Sequence, residues 1–231
     1  MTDALTRLGN RRSLAHAIPR LLSLVEVANR KGPAAHRLAL LLIDLDGFKP
    51  INDKQGHEAG DQVLAHVGAL LSTCVRKDDK VVRWGGDEFV IAQVVSNFKE
   101  AAVLAERIRA TISSRRFPIS ATQTARTSVS IGFACYPFVS EAPDLVAWED
   151  VLNIADTALY RAKRTRNSCV GWSGTRAAAT LSDLLDRVQG DPEGAERDGY
   201  IESPTCAAMG DATAEVLLLQ SGGGRHAFPR S

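Results

Sequence analysis

Apolar residues along the first two thirds of the chain switch between helical and strand spacing. Between residues 13 and 29 they recur three and four positions apart, which is typical of one face of an amphipathic helix. Pro19 lies inside this pattern and predicts either a kink or a late helix start. Residues 38–43 form an unbroken apolar run, which predicts a strand buried on both faces, and residues 61–75 return to helical spacing.

Two adjacent glycines, Gly85 and Gly86, separate two further apolar runs. This pattern predicts a β-hairpin whose turn requires a positive φ, a conformation that glycine adopts without steric cost. Asp87 and Glu88 follow at the tip of the hairpin, where no structural role requires paired carboxylates. Bare backbone beside two acids suits a metal-bound phosphate that comes very close, whereas an ordinary solvated turn is the alternative.

The elements that follow the hairpin complete the predicted fold. Asn97 and Glu100 have the spacing of a capping box at the start of a helix. Residues 127–134 have the character of a strand, and residues 148–164 have helical spacing again. This order predicts an α+β fold in which helices flank a central, mostly antiparallel sheet.

Asp44 and Asp46 stand at the end of the buried run, and an extended strand would place both on the same side. Isolated carboxylates at such a place are costly unless a cation or hydrogen bonds compensate their charge. Oxygen ligands suit Mg²⁺, which takes one or two carboxylates and leaves its other positions to water and substrate phosphates. A capping or turn aspartate is the alternative, above all for Asp46.

The composition narrows the class of protein. Of the 231 residues 45% are hydrophobic and 24% are charged, which is ordinary for a globular protein of one domain plus a tail. The net charge of +1 gives no electrostatic basis for nucleic-acid binding. Neither a secretory signal nor a membrane-spanning stretch is present, so we expect a cytoplasmic protein without membrane contact. The four cysteines lack metal-ligand spacing and are interpreted as reduced thiols: Cys74, Cys135, Cys169 and Cys206.

The chain changes character past Trp172, where Gly, Ala, Asp, Arg and Ser dominate. We therefore expect a folded domain at 1–172 and a poorly ordered tail at 173–231. The tail would contain at most one or two marginal helices. Its apolar positions are a weak amphipathic stretch (Leu181, Leu184, Leu185 and Val188) and a short patch at 214–219.

Several motifs together resemble the GGDEF family of diguanylate cyclases. They occur in family order over about residues 2–172 and begin with the opening run Thr2-Asp3-Ala4-Leu5-Thr6-Arg7-Leu8-Gly9-Asn10-Arg11. The others are Asp44-x-Asp46-x-Phe48-Lys49-x-x-Asn52-Asp53, Gly56-His57-x-x-Gly60-Asp61, Gly85-Gly86-Asp87-Glu88-Phe89, Ser130-Ile131-Gly132 and Ala155-Asp156-x-Ala158-Leu159-Tyr160-x-Ala162-Lys163. The resemblance implies the palm-like form of the α+β fold that nucleotide cyclases share with polymerases.

The resemblance also implies a reaction, in which two GTP molecules condense to cyclic di-GMP and release two pyrophosphates. Each subunit of this family binds one GTP, so a homodimer would be required. Mg²⁺ (or Mn²⁺) would be held by Asp44, the Leu45 carbonyl, Asp87 and Glu88. Asp87 would be the candidate proton acceptor for the 3′-hydroxyl, and the choice between Asp87 and Glu88 stays open.

By the same resemblance, Asn52 and Asp61 would recognise the guanine edge, and His57 would line the same site. From the residues alone, Asn52 and Asp61 could equally be helix caps. The triphosphate would be bound by a larger set: the backbone N–H groups of Gly47 and Phe48, the side chains of Lys49, Lys163 and Arg166, and the open backbone of Gly85 and Gly86.

The run at 162–167 departs from the family pattern Ala-Lys-x-x-Gly-Arg-Asn, because the glycine is absent and Arg166 arrives one residue early. A shift of one residue on a helix turns a side chain by ~100°. Arg164 or Arg166 could compensate if the helix frays at this point. Otherwise we expect a lower affinity for GTP with an intact metal site.

Arg76 and Asp79 have the family spacing of the RxxD site at which cyclic di-GMP inhibits its own synthesis. Without the family, they are a charged helix end that needs no function. Two rival classes are a catalytically silent receptor for GTP or cyclic di-GMP and a different nucleotidyl cyclase or polymerase palm. The intact acids Asp44, Asp87 and Glu88 argue against the first, and guanine recognition argues against the second.

Overall fold

The computed structural model describes residues 1–31, 35–175 and 180–203, and its core is a seven-stranded sheet. The strands are β1 (Gly9–Asn10), β2 (Arg37–Asp46), β3 (Lys80–Gly85), β4 (Glu88–Val95), β5 (Phe117–Pro118), β6 (Thr124–Ala125), β7 (Ser128–Val139), β8 (Cys169–Gly174) and β9 (Ile201–Glu202). The helices are α1 (Arg11–Lys31), α2 (Phe48–Gln55), α3 (His57–Thr73), α4 (Phe98–Ser113), α5 (Trp148–Thr165), α6 (Leu181–Gly190) and α7 (Pro192–Arg197).

The sheet has the order β1-β3-β4-β2-β7-β8-β9, so β2 runs through its middle. Among the described strands, β1 with β3 and β7 with β8 pair in parallel, and the other neighbours in this sheet pair antiparallel. The separate pair β5–β6 forms a small hairpin. The predicted α+β fold with a mostly antiparallel central sheet is confirmed.

The two faces of β2 belong to two separate layers of the core. Ala39, Leu41, Ile43 and Leu45 pack with α2, α3 and α4, while Leu38, Leu40 and Leu42 pack with α1 and α5. Because successive side chains of a strand point to opposite faces, Asp44 and Asp46 continue the second set. The strand therefore delivers two carboxylates to the face that α5 covers.

The first helix is longer than its apolar pattern predicts. It begins at Arg11 and continues through Pro19 to Lys31, so the late start, one of the two predicted alternatives, is excluded. Proline removes one helical hydrogen bond, but Leu14, Ile18, Leu21 and Val25 are all buried against the sheet. Their burial outweighs the local cost of the proline.

The second predicted helix begins at His57 rather than at residue 61, and a further helix, α2, precedes it. Sequence periodicity misses α2 because Ile51 is its one buried residue. Gly47 and Gly56 bound this helix with φ values of +71° and +86°. Glycine reaches these backbone conformations without strain, so the two glycines set the helix ends.

Residues 180–203 contain the two helices that the sequence allowed for the tail, and these helices pack on the folded domain. Leu184 and Val188 of α6 are fully buried in the same cluster as Trp172, and β9 pairs with β8. The Asp183 N–H donates to the Thr180 hydroxyl oxygen, which caps the start of α6. The division of domains at residue 172 stays a prediction, and the apolar patch at 214–219 lies outside the described residues.

The cysteines of the described chain agree with the sequence interpretation. Cys74, Cys135 and Cys169 are free thiols, while Cys206 lies outside the described residues. Complete burial raises the pKa of Cys135 to about 12, so this thiol is not reactive near neutral pH. Among the described helices, none combines the length and apolar character that crossing a bilayer needs.

Candidate active site

The turn between β3 and β4 presents bare backbone to the surface. Gly86 has a φ of +49°, and a Cβ added to Gly85 or Gly86 would meet no atom within 4 Å. Arg83 fixes the turn, because its Nε and Nη2 donate to the Gly86 carbonyl at 3.0 and 2.8 Å. Its Nη1 lies 3.3 Å from both carboxylate oxygens of Asp3. The turn is therefore rigid and open on its outer side.

Asp44 and Glu88 lie directly opposite each other, where β2 ends and β4 begins. Like charges in this position repel, since Cβ atoms of opposed residues are about 5 Å apart. Asp44 is buried, with 9% of its surface exposed. Lys163 of α5 approaches from above, with its Nζ 2.8 Å from Oδ2 of Asp44. The geometry concentrates negative charge beside the glycine turn and sets one cation against it.

The pKa values of Asp44, Glu88 and Lys163 are shifted by burial and by the charges of their neighbours. Burial raises the pKa of Asp44, the neighbouring Asp87 and Asp46 raise it further, and Lys163 only partly opposes this. Burial and the charge of Asp44 likewise raise the pKa of Glu88. Burial lowers the pKa of Lys163, but its hydrogen bond to Asp44 and the nearby acids more than reverse this and raise it. The two acids therefore carry more negative charge than one lysine compensates.

Asp46 has a different environment although it shares a face with Asp44. Its carboxylate accepts hydrogen bonds from the hydroxyls of Ser128 and Ser130 at 2.6 and 2.7 Å. It also accepts the backbone N–H of Asn167 at 2.8 Å. Three donors compensate its charge without a cation. Asp46 is therefore held by distant residues, whereas the alternative from the sequence was a capping or turn aspartate.

Asn52 lies beside Gly60, the residue before Asp61, because α2 and α3 pack side by side. The Oδ1 atom of Asn52 lies only 1.9 Å from the position that a Cβ on Gly60 would occupy. The absence of a side chain at Gly60 thus lets Asn52 reach the residue before Asp61. Neither Asn52 nor Asp61 is a helix cap, since Gly47 and Gly56 precede α2 and α3. Asp61 and His57 are exposed and available to a ligand.

The amino end of α2 follows directly after the carboxylates of β2. Gly47 supplies no side-chain cap, so the first N–H groups of the helix keep no partner from this residue. A helix amino terminus favours phosphate groups through these N–H groups and the helix dipole. Phe48 is partly buried against the core, and Lys49 is exposed on the first turn. This end of α2 can bind an anion beside Asp44.

Comparison with known proteins gives this arrangement a family. The family model described as "Diguanylate cyclase, GGDEF domain" matches residues 1–169 of this chain. The chain belongs to the GGDEF family. Its glycine turn and the two acids after it are the residues from which the family takes its name.

Relatives with assigned names support the same family. The chain is 36% identical over 180 residues to the diguanylate cyclase DgcS of Shewanella oneidensis and 38% identical over 174 residues to the diguanylate cyclase DosC of Escherichia coli. These matches include 76% and 75% of this chain, but they span only 54% and 35% of the two relatives.

Solved GGDEF domains share the fold. The domain of TpbB (YfiN) from Pseudomonas aeruginosa matches with a TM-score of 0.63 and 34% identity, over 73% of this chain and 92% of that one. The GGDEF domain of DgcB from Caulobacter crescentus, solved with cyclic di-GMP, matches with a TM-score of 0.63 and 30% identity, over 74% of this chain and 94% of that one.

Asp44 and Glu88 fit a divalent cation whose remaining ligands come from a substrate. Within the described ranges, no group of three or more His, Cys, Asp or Glu side chains is arranged to hold a metal. Asp44 and Glu88 nevertheless oppose each other, and burial, together with the charges of neighbouring acids, raises the pKa of each. Two carboxylates are what Mg²⁺ takes from a protein when phosphates supply further oxygens. The Leu45 carbonyl and Asp87 stay predicted ligands.

The end of α5 corrects the expectation for the shifted arginine. The helix stops at Thr165, and Arg166 follows it with φ +56° and ψ 167°. Arg166 is therefore not turned by ~100° on a helix surface, because it lies in the turn beyond the helix. Its conformation is one that favours glycine, the residue that the family pattern has in this run.

The RxxD residues lie in the turn after α3, which ends at Thr73, rather than on a helix end. The Arg76 N–H donates to Oδ2 of Asp79 at 2.8 Å, which closes the turn. The Arg76 side chain extends to Glu100, with Nη2 2.9 Å from Oε1. Both RxxD residues and Glu100 line a groove of about 520 Å³ beside α1.

Sequence reasoning missed residues that support the site from outside. Ser128 and Asn167 compensate Asp46, Arg83 holds the glycine turn, and Arg109 contacts Asn167. The family motifs gave no function to these residues. Ser128, Asn167 and Arg109 act through partners far away in sequence, so only the folded chain reveals them.

Proposed function

We propose that this chain condenses two GTP molecules to cyclic di-GMP in the cytoplasm and releases two pyrophosphates. One observation carries the proposal: Asp44 and Glu88 oppose each other at the end of the sheet, beside the open turn of Gly85 and Gly86 and under Lys163. This arrangement combines paired carboxylates, a bare backbone and a cation, which suits a metal-bound triphosphate. A Mg²⁺ or Mn²⁺ ion bound there supplies positive charge for the phosphates.

The residues around the acids divide the work of binding GTP. Asn52 and Asp61 would recognise the guanine edge with amide and carboxylate groups, and His57 would line the same pocket. The phosphates would be bound at the first turn of α2, by the backbone N–H groups of Gly47 and Phe48 and by the side chain of Lys49. Lys163 and Arg166 would add two further positive charges. Positioning of this kind accounts for a large part of catalysis in phosphoryl chemistry.

Asp87 is the proposed proton acceptor. It lies in the turn, outside the ladder in which Glu88 opposes Asp44, and its carbonyl accepts the Leu45 N–H at 3.3 Å. In each half reaction the 3′-hydroxyl loses its proton to Asp87 while its oxygen bonds to the α-phosphorus of the other GTP. Pyrophosphate leaves from that phosphorus. Two copies of the chain must face each other, because one site holds one GTP.

Product formation at several protein concentrations tests the proposal. Purified protein is incubated with GTP and Mg²⁺, and cyclic di-GMP is measured by chromatography. We expect specific activity to rise with protein concentration, because the active form is a homodimer. No product at any concentration would contradict the proposal, and binding of cyclic di-GMP by the same sample would then identify a silent receptor.

We also propose that cyclic di-GMP inhibits the enzyme at Arg76 and Asp79. In the structure Glu100 holds the Arg76 guanidinium, and hydrogen bonds from Ser96 anchor Glu100 in turn. Burial raises the pKa of Glu100, but the bonds from Ser96 and Arg76 outweigh this and lower it, so Glu100 is charged at neutral pH. A ligand that binds Arg76 must therefore displace a carboxylate.

Two variants are expected to change product inhibition in opposite directions. Arg76→Ala should abolish it, because the guanidinium that grips the ligand is gone. Glu100→Gln should lower the inhibitory concentration of cyclic di-GMP about twofold to fivefold, since a surface ion pair of up to about 1 kcal/mol no longer competes. Initial rates with added cyclic di-GMP measure both effects. If Arg76→Ala is inhibited by cyclic di-GMP as strongly as the parent, the assignment of this site is wrong.

Gly60→Ala is expected to raise the KM for GTP about tenfold, which corresponds to the loss of one or two hydrogen bonds to the guanine. The new Cβ would lie 1.9 Å from Oδ1 of Asn52 and must displace that side chain. Helical stability should not fall, because alanine is the better helix former. Asn52→Ala should give the same KM, and Gly68→Ala on the same helix serves as the control. A parent-like KM in Gly60→Ala would contradict the role of Asn52.

A further inference from the structure

The turn after α5 has an unfavourable backbone conformation. Arg166 has a φ of +56° and Asn167 a φ of +42°. Two successive residues with side chains therefore occupy the left-handed region, which non-glycine residues enter rarely. Such a conformation persists only where surrounding contacts hold it.

Contacts from two distant parts of the chain hold Asn167. Its backbone N–H donates to Oδ2 of Asp46 at 2.8 Å, and its side-chain Oδ1 accepts from Nη1 of Arg109 at 2.9 Å. The first contact anchors the turn to the end of β2. The second anchors it to α4, which packs on the opposite face of the sheet from α5.

Arg109 is itself fixed by Glu106 on the same helix. The two side chains form a paired contact, with Nε 2.8 Å from Oε2 and Nη2 2.5 Å from Oε1. Only 22% of the Arg109 side chain and 17% of the Glu106 side chain are exposed. A bidentate pair with this little exposure has a defined geometry and is screened less than a surface pair. The remaining guanidinium nitrogen, Nη1, is thus aimed at Asn167.

Asn167 fixes the carboxyl-terminal end of the segment that carries Lys163 and Arg166, the two candidate phosphate ligands. Asn167 directly follows Arg166 and comes four residues after Lys163, which contacts Asp44. If Arg109 were absent, the strained turn would lose its contact with α4 and could relax. The direction of the Arg166 side chain, which this backbone sets, would then no longer be fixed.

We propose that Arg109 is a positioning residue for the substrate phosphates, which it serves by holding Asn167 and thereby the turn that presents Arg166. The proposal rests on the proposed function, because it assumes that this turn binds the triphosphate of GTP. It also explains how the chain tolerates arginine in a conformation that favours glycine. Glu106 completes the device by fixing Arg109.

Steady-state kinetics with GTP separate positioning from a purely structural role. Arg109→Ala is expected to raise the KM for GTP about tenfold and to change kcat by less than about threefold. Arg109→Lys, which keeps the charge but loses the fork, should lie between this variant and the parent. A fall in kcat at unchanged KM would show a structural role only and would overturn the proposal. Parent-like values of both constants would overturn it as well.

A double-mutant cycle tests the contact itself. In an Asn167→Ala background the acceptor is gone, so Arg109→Ala should raise KM no further, whereas additive effects would overturn the proposal. Arg107→Ala removes a neighbouring contact of α4 with the Cys74 carbonyl and should leave KM unchanged. If the parent protein makes no cyclic di-GMP, the proposed function has failed. The affinities of the same variants for GTP, measured by calorimetry, then support or overturn the role of Arg109.

Discussion

An Asp44→Asn variant is expected to lose cyclic di-GMP formation by on the order of 1,000-fold, because metal-assisted charge stabilisation of several kcal/mol disappears. The same variant should unfold at a temperature no lower than the parent and up to about 4 °C higher. Loss of activity with retained or increased stability distinguishes a functional carboxylate from a structural one.

The stability half of this prediction follows from the direction of the pKa shifts. Burial, and then the charges of Asp87 and Asp46, raise the pKa of Asp44 above its ordinary value of 3.8. Between the unfolded and the folded pKa, the folded state binds more protons, so stability falls as pH rises through this window. Asparagine removes that penalty and relieves Glu88 opposite. The lost contact with Lys163 costs little, because 40% of the lysine side chain is exposed.

Thermal unfolding of the parent and the Asp44→Asn variant at several pH values measures the effect. We expect the variant's advantage at neutral pH to shrink as the pH falls from the raised folded pKa of Asp44 towards its ordinary value of 3.8, below which the parent's carboxyl is protonated in both states. A variant that is clearly less stable at pH 7 would contradict the interpretation. Retained activity would remove Asp44 from the proposed metal site.

Asp46→Asn is the matched control, because it makes the same chemical change two residues away on the same strand face. Here the carboxylate accepts three hydrogen bonds from Ser128, Ser130 and Asn167. An amide has one oxygen instead of two, so at least one of these donors loses its partner. We expect a lower unfolding temperature and only a partial loss of activity. Asp44→Asn, in contrast, should keep its stability and lose nearly all activity.

Asp44 and Asp46 also show which features of the site can be predicted from sequence. Strand periodicity placed the two carboxylates on one face, and this is confirmed. The sequence could not separate their roles, because the partners that compensate Asp46 come from residues 128, 130 and 167. Such long-range contacts leave no periodic pattern. The family motifs supplied residue identities, and the fold supplied the partners.

The helices show the same division between local and tertiary signals. The capping pair Asn97 and Glu100 predicted the start of α4, and the Glu100 N–H does donate to Asn97. In contrast, α2 buries only Ile51 and has no helical apolar stripe, so the pattern missed it. The weak stripe of α6 gains its stability from burial of Leu184 and Val188 beside Trp172. Propensity alone does not report such packing.

Gly132→Ala is expected to destabilise the fold by about 3 kcal/mol or more, since overpacking against backbone cannot be relieved by a rotamer change. An added Cβ would lie 2.1 Å from the Ala155 carbonyl oxygen and 2.1 Å from the Leu159 nitrogen. Both atoms belong to the main chain of α5, so the whole helix must move away from β7. For a chain of this size, the unfolding temperature should fall by on the order of 10 °C.

The displaced helix would also disturb the site, because α5 carries Lys163 to Asp44. We therefore expect product formation to fall even at temperatures where Gly132→Ala remains folded. Gly190→Ala is the control, since a Cβ there meets no atom within 4 Å and alanine favours a helix. Thermal unfolding followed by circular dichroism, with activity measured at 15 °C, separates the two effects. If Gly132→Ala unfolds within about 2 °C of the parent, the close approach of α5 to β7 does not constrain this position.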